Sequence, residues 1–252
     1  MSFDGVSAGR RSVWESGVER AMEIQLEGIV VIVGNYGSGK TEIAINLAVD
    51  RKRSGIDVRL ADLDLVNPYF RTREARKALA RIGIEVILPP EEYLHADLPI
   101  LSPLIGGVIR RPGQLALIDA GGDPAGVRVL SALADAFNGL SYHMLQVVNP
   151  LRPETSSVAG CLHMKREIET AARMAVTGWI GNANLIDETT PQDILRGYAF
   201  VSQLSADSGL PLMFITAADA LLPQIAQERF SCPVLTIARQ LVPPWKNAAG
   251  LS

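Results

Sequence analysis

Apolar residues fall in short blocks from Gly28 onward, and helix-length amphipathic segments separate the blocks. The blocks predict strands near residues 28–33, 57–62, 84–88, 114–119, 142–148, 174–181 and 211–216, with a last short one at 234–237. The intervening segments predict helices near 40–53, 68–82, 124–137, 154–172, 191–207 and 219–227. Several blocks carry no polar alternation, as expected of strands covered on both faces. The predicted fold class is therefore α/β: a doubly wound, mostly parallel sheet of about seven or eight strands with helices on both faces.

Local punctuation supports this division. Asn67-Pro68 and Asp123-Pro124 each pair a capping side chain with a proline suited to the first helical position. Gly55 and Gly83 stand where helices should close. Between Asn67-Pro68 and Gly83, Ala75, Ala78, Leu79 and Ile82 share one helical face. No repeat or linker interrupts residues 28–240, which predicts one domain there. Residues 1–27 are read as an N-terminal extension, partly disordered, with Trp14, Val18 and Met22 lining a short helix packed outside the sheet. Residues 241–252 are read as a C-terminal tail.

Composition narrows the classes. The 252 residues include 24 Lys and Arg against 27 Asp and Glu, for a net charge of −3. That balance lacks the basic footprint of a dedicated nucleic-acid binder. Met1 to Arg11 has no apolar stretch of the kind a secretory signal needs. The longest clean apolar run, Ile29 to Val33, is far short of the ~20 residues that cross a bilayer. A cytoplasmic protein without a membrane anchor is expected. Two distant cysteines, Cys161 and Cys232, are too few for a disulfide framework or a thiolate metal site.

The sharpest local signal is Gly34-Asn35-Tyr36-Gly37-Ser38-Gly39-Lys40-Thr41, which matches G-x-x-x-x-G-K-[ST] between an apolar strand and an amphipathic helix. Its glycines let successive backbone N–H groups turn inward around a phosphate, and the helix N-terminus favours the same anion. Lys40 would neutralise the terminal phosphates, and the Thr41 hydroxyl would face Mg²⁺. Two acidic strand ends follow. Asp62 and Asp64 are two residues apart and so point to one side of an extended chain. One can serve a metal shell, and the other can orient or deprotonate a water. Asn67 also has the role of helix cap. Asp119, after four apolar residues, fits a second carboxylate for Mg²⁺. The sequence Asp119-Ala120-Gly121-Gly122 places an N–H of Gly122 where it could sense a γ-phosphate.

Together these residues resemble the MinD/ParA branch of P-loop ATPases, the CobQ/CobB/MinD/ParA nucleotide-binding domains, over roughly residues 28–240. Closer still is a bacterial and archaeal subgroup with the pattern GNYGSGKTE followed by DLDLVNPYFRTRE. The resemblance implies bound ATP and Mg²⁺, with Lys40 and Asp64 as the catalytic pair and Asp62 and Asp119 serving the metal. It also implies that Asn182, at the end of the Gly178-Trp179-Ile180-Gly181 strand, contacts adenine, and that the loop Thr216-Ala217-Ala218-Asp219 closes over base or ribose. Asn182-Ala183-Asn184-Leu185 differs from the Asn-Lys-x-Asp guanine reader.

Two departures from the branch stand out. Its signature lysine, which reaches across a homodimer, is replaced by Asn35, and Tyr36 replaces a glycine. Arg71, Arg73 and Arg152 are the candidate substitutes, each with solvated surface charge as the plainer reading. The terminal segment, with Pro243-Pro244, cannot form the membrane helix of MinD itself.

Weaker signals are read plainly. Cys161 and His163, two apart on a helix, point about 200° apart and cannot chelate together. Cys161 shares an apolar stripe with Val158, Leu162 and Ile168 and is expected in the core. Trp179 is expected there too, and His95, in the 91–104 loop, is expected to be solvated.

The leading expectation is an ATPase switch coupled to a partner protein of unspecified identity, with a homodimer possible. The alternatives are an ATP-dependent synthase that activates a small carboxylic acid, and a non-hydrolysing nucleotide sensor. The synthase needs a pocket beside the γ-phosphate, for which the sequence offers only the 94–103 loop.

Overall fold

A computed structural model describes residues 22–63, 72–88, 103–122, 124–226 and 228–240. Within these residues eight strands form one sheet: β1 (Gly28–Val33), β2 (Val58–Leu63), β3 (Glu85–Ile87), β4 (Leu115–Ala120), β5 (Tyr142–Val148), β6 (Gly178–Gly181), β7 (Leu212–Ala218) and β8 (Val234–Ile237). Their order is β3-β2-β4-β1-β5-β6-β7-β8. Every pairing is parallel. The chain leaves β1 for β2 and β3, returns through β4, crosses β1 to β5, and then steps outward to β8. Such a reversal opens a crevice at the carboxyl ends of the central strands.

Among the described residues, seven α-helices connect the strands: α1 (Lys40–Arg53), α2 (Thr72–Arg81), α3 (Pro103–Arg110), α4 (Pro124–Phe137), α5 (Val158–Ala172), α6 (Pro191–Ser208) and α7 (Leu222–Ile225). Alternate residues of β1 serve opposite faces. Val30 and Ile32 pack with Ile43, Leu47 and Ala48 of α1 and Leu79 of α2. Ile29, Val31 and Val33 pack with Ile109 of α3, Leu130 and Leu133 of α4, and Ile168 of α5. The two-residue period of a strand thus divides one apolar run between two layers.

The predicted fold class holds, and the differences have local causes. The block predicted as a strand at 174–181 pairs only at Gly178–Gly181. Met174 and Val176 are buried in the connection before it, so apolar character there reports burial rather than pairing. α3 was not anticipated. Its Gly106 and Gly107 weaken a helical reading, yet Ile105, Val108 and Ile109 are buried against the sheet. The 219–227 helix is a 3₁₀ turn (Asp219–Leu221) followed by the short α7.

The ends of the described chain also join the body. Ile24 and Leu26 are buried in the α1-side core. Arg51 of α1 pairs with Glu23 at 3.3 Å. Beyond β8, Ala238 N–H donates to Asn46 Oδ1 at 2.9 Å, and Gln240 N–H donates to Glu42 Oε1 at 2.7 Å. The anticipated closures at Gly55 and Gly83 are present, with φ of 86° and 79°. Met22 is exposed, whereas Trp14, Val18, Asn67, the Asp123 cap, His95 and the 94–102 part of the 94–103 loop lie outside the described residues, as does Arg71.

Candidate functional site

The glycine-rich loop leaves β1 at the centre of the sheet and opens α1. Gly34, Gly37 and Gly39 have φ of 147°, 73° and 95°. These values lie in the region that L side chains rarely adopt, so the backbone can curl without the clash a Cβ would bring. At Gly34 a Cβ would stand 2.8 Å from the Val147 carbonyl oxygen. The turn closes through Ser38 N–H donating to Asn35 C=O at 3.2 Å, and Ile43 N–H donates to Gly39 C=O at 3.0 Å as α1 begins.

Lys40 is buried, and its Nζ donates to the Asn35 carbonyl at 3.1 Å. The lysine is thereby folded over its own loop. Thr41, in the first turn of α1, is also buried. Ser38 is fully buried, and its Oγ has no hydrogen-bond partner among the described residues. Tyr36 is 69% exposed.

The acidic strand ends meet beside this loop. β2 and β4 are neighbours, and their register sets Asp62 directly opposite Asp119. Asp119 is 1% exposed. Asp64 lies outside the described residues, so its shared face with Asp62 is left as a sequence expectation. Gly122, three residues beyond Asp119, abuts the phosphate loop: a Cβ there would stand 2.5 Å from Lys40 Nζ and 2.9 Å from Tyr36 N. Parallel pairing at the centre of the sheet therefore brings together the loop, Lys40, Thr41, Asp62, Asp119 and Gly122.

Asn182 follows β6 and is buried. Its Nδ2 donates to the Ser38 carbonyl at 2.6 Å, and its Oδ1 accepts from the Thr216 hydroxyl at 2.5 Å. A Cβ on Gly39 would collide with Nδ2. The expected loop at 216–219 is corrected here. Thr216 and Ala217 lie within β7 and are buried, because the strand runs on to Ala218 against β8. Ala217 packs with Ile194, Ile215 and Cys232.

Two features were not singled out as parts of the site from sequence. The first is the turn after β5, of which only Arg152 was named, as a candidate substitute for the branch lysine. Asn149 is 1% exposed; its Nδ2 donates to the Asn184 carbonyl at 2.9 Å, and its Oδ1 accepts from Leu151 N–H at 3.1 Å. Within the same turn Glu154 accepts from Asn35 Nδ2 at 3.4 Å. The Asn149-Pro150 and Arg152-Pro153 steps signal a rigid turn, but nothing local says that it docks on the phosphate loop. The second is a cavity of about 600 Å³ that opens on Asn35 and Gly122 and is walled by Val127, Met164 and Ile168. It formed no part of the expectation, since α4 and α5 line it rather than the 94–103 loop.

Cys161 and Trp179 are fully buried, as expected, and Trp179 Nε1 donates to Ser208 Oγ at 2.9 Å. His163 is exposed beside Glu167 at 3.5 Å. Among the described residues, no group of three or more His, Cys, Asp or Glu side chains gathers to hold a metal. No described helix is long and apolar enough to cross a membrane.

No family model and no curated protein matches the chain. Solved structures do share its fold. The chloroplast FtsY of Physcomitrella patens aligns with a TM-score of 0.53 at 20% identity, covering 79% of this chain and 63% of that one. The cell division protein FtsY of Thermotoga maritima aligns with a TM-score of 0.53 at 22% identity, covering 75% and 62%. The signal recognition particle 54 kDa protein of Aeropyrum pernix, solved with GDP, aligns with a TM-score of 0.50 at 17% identity, covering 77% and 42%. The chain thus spans about three-fifths of the FtsY chains and less than half of the 54 kDa protein. The eight-stranded parallel sheet with helices on both sides is the α/β P-loop NTPase fold of these signal-recognition proteins.

Proposed function

We propose that this protein is a Mg²⁺-dependent ATP-binding switch of the MinD/ParA kind, with ATP hydrolysis coupled to a partner protein. The observation that carries the reading is the contact of Gly122 with Lys40 and Tyr36. The residue suited to sensing a terminal phosphate touches the residues suited to binding it, so occupancy of the loop bears directly on the segment after Asp119.

The residues fit a polyphosphate. Three positive-φ glycines curl the loop, and the buried Ser38 Oγ has no partner among the described residues. Lys40 Nζ would exchange the Asn35 carbonyl for phosphate oxygens, setting its charge against an anionic acceptor instead of a neutral one. Thr41, Asp62 and Asp119 are the residues to hold Mg²⁺, and the phosphates would complete its oxygen shell. When bound, the ion would neutralise charge on the β- and γ-oxygens. Asp64 is assigned to orient the attacking water, and the 1–27, 28–240 and 241–252 division is retained as the domain reading.

Adenine is preferred over guanine in this reading. Asn182 retains one amide hydrogen and one lone pair beyond its bonds to Ser38 and Thr216, enough for a donor–acceptor contact with the base. Ala183 to Leu185 adds no acid to read guanine.

One observation favours a second reading, the ATP-dependent synthase. The α4–α5 cavity opens on Asn35 and Gly122, the side on which a terminal phosphate would lie. Its apolar wall suits the chain of a small carboxylic acid.

The test is equilibrium binding of labelled ATP and GTP, followed by steady-state phosphate release with and without small carboxylic acids. Micromolar ATP binding that Lys40→Ala abolishes is the expected result. ATP binding that survives Lys40→Ala would end the phosphate-loop assignment. Turnover that depends on an added acid would move the protein to the synthase class.

A further inference from the structure

We infer that Arg152 is a second polyphosphate-binding cation, supplied to the phosphate loop by the same subunit; the inference rests on the nucleotide-binding reading above. Arg152 stands in the turn between β5 and α5, yet its guanidinium lies over the loop that follows β1. A Cβ on Gly37 would stand 3.9 Å from Arg152 Nε and 4.0 Å from its Cζ. The Nε is buried and has no hydrogen-bond partner among the described residues. An arginine N–H taken out of water without an acceptor is costly, so its burial beside an anion-binding loop points to an acceptor that arrives with the ligand.

The turn holds Arg152 in place without the ligand. Arg152 N–H donates to the Asn149 carbonyl at 3.1 Å, and Thr155 N–H donates back to the Arg152 carbonyl at 3.1 Å. Thr155 Oγ1 donates to the Asn149 carbonyl at 2.6 Å. Pro150 and Pro153 fix two of the backbone angles on either side. Glu154, the anion nearest in sequence, bonds Asn35 rather than Arg152. The backbone of Arg152 is therefore held beside the loop, and its Nε, unpartnered among the described residues, is left for a phosphate oxygen, which a planar guanidinium suits better than an ammonium does. The charge missing at Asn35 is restored from the side of Gly37, within one chain.

The experiment compares wild type, Arg152→Ala and Arg152→Lys by equilibrium dialysis of ATP, with circular dichroism to confirm that each variant is folded. Arg152→Ala should weaken ATP binding by about ten- to a hundredfold, the worth of a charge-assisted bond. Millimolar methylguanidinium should restore part of that loss, and Arg152→Lys should fall between the two. Rescue by a free guanidinium would not follow from a merely structural role. Unchanged ATP affinity in a folded Arg152→Ala would overturn this inference and leave the nucleotide-binding reading intact. Wild type that binds no nucleotide would overturn both. Mixing Arg152→Ala with Lys40→Ala separates the two geometries: restored binding would place Arg152 on a partner's nucleotide and overturn the same-subunit assignment, whereas no restoration supports it.

Discussion

The side-chain amide of Asn182 donates to the Ser38 carbonyl at 2.6 Å, across 144 positions of sequence. The residue proposed to read the base is thus also a strut of the phosphate loop. Thr216, on the next strand, fixes the amide by donating to its oxygen. In the proposed reading, base contact and loop geometry would depend on the same side chain.

Asn182→Ala should therefore do two things. It should erode the preference for ATP over GTP in competition binding. It should also destabilise the fold by about 1–3 kcal/mol, because the Ser38 carbonyl and Thr216 hydroxyl lose a buried partner. Chemical denaturation and competition titration measure these separately. Equal affinity of wild type for both nucleotides would remove the base contact and leave the strut.

Gly122→Ala should block the switch without unfolding the sheet. The added methyl meets Lys40 Nζ and the Tyr36 and Asn35 backbone. Lysine can move, but the loop backbone cannot do so cheaply. Expected is a loss of ATP affinity or turnover of tenfold or more, at about the cost of one overpacked contact. Wild-type turnover in this variant would mean that Gly122 moves away before the nucleotide binds.

Asp64→Ala should leave ATP bound and stop its hydrolysis, the pattern for a contact made only in the transition state. Single-turnover phosphate release alongside ATP dialysis is the measurement. Near-normal release would reassign the water to another residue.

The cysteines give a pH prediction. Burial pushes the Cys161 thiol up from 9.0 to about 12 and the Cys232 thiol up from 9.0 to about 11. Only a thiolate attacks iodoacetamide. Native protein at pH 8 should resist alkylation, and protein in denaturant should take two labels. The folded state holds these protons more tightly than the unfolded state. Their stabilising effect is therefore full below about pH 9 and falls as pH rises towards 11 and 12. Rapid native labelling at pH 8 would contradict the burial.

Assembly should respond little to nucleotide. Asn35 carries no charge and is engaged by Glu154, so it cannot neutralise a partner's phosphates as the branch lysine does. Light scattering with a slowly hydrolysed ATP analogue should show no strong shift from monomer to dimer. A clear shift would mean that other residues bridge a nucleotide-dependent dimer.

The sequence by itself determined the layered fold and the loop. An apolar run with a two-residue period, such as Ile29 to Val33, must be covered on both sides. Gly34, Gly37 and Gly39 before Lys40 constrain the backbone locally, and local constraint is legible one residue at a time. The Asp62 and Asp119 strand ends were legible too, since each closes its own apolar block. What surrounds that loop was decided by strand order. Asp62 faces Asp119 because β2 and β4 are neighbours, although β3 intervenes in sequence. Asn182 reaches Ser38, and Arg152 reaches Gly37, because β5 and β6 lie on the other flank of β1. Thr216 was read as part of a loop because a polar residue near a strand end has no local mark of pairing, and only β8 alongside extends β7 past it. The α4–α5 cavity likewise exists between elements, and no segment encodes it alone. Contacts of this kind depend on the closure of long loops around a sheet, and hydrophobic periodicity carries no information about which strands become neighbours.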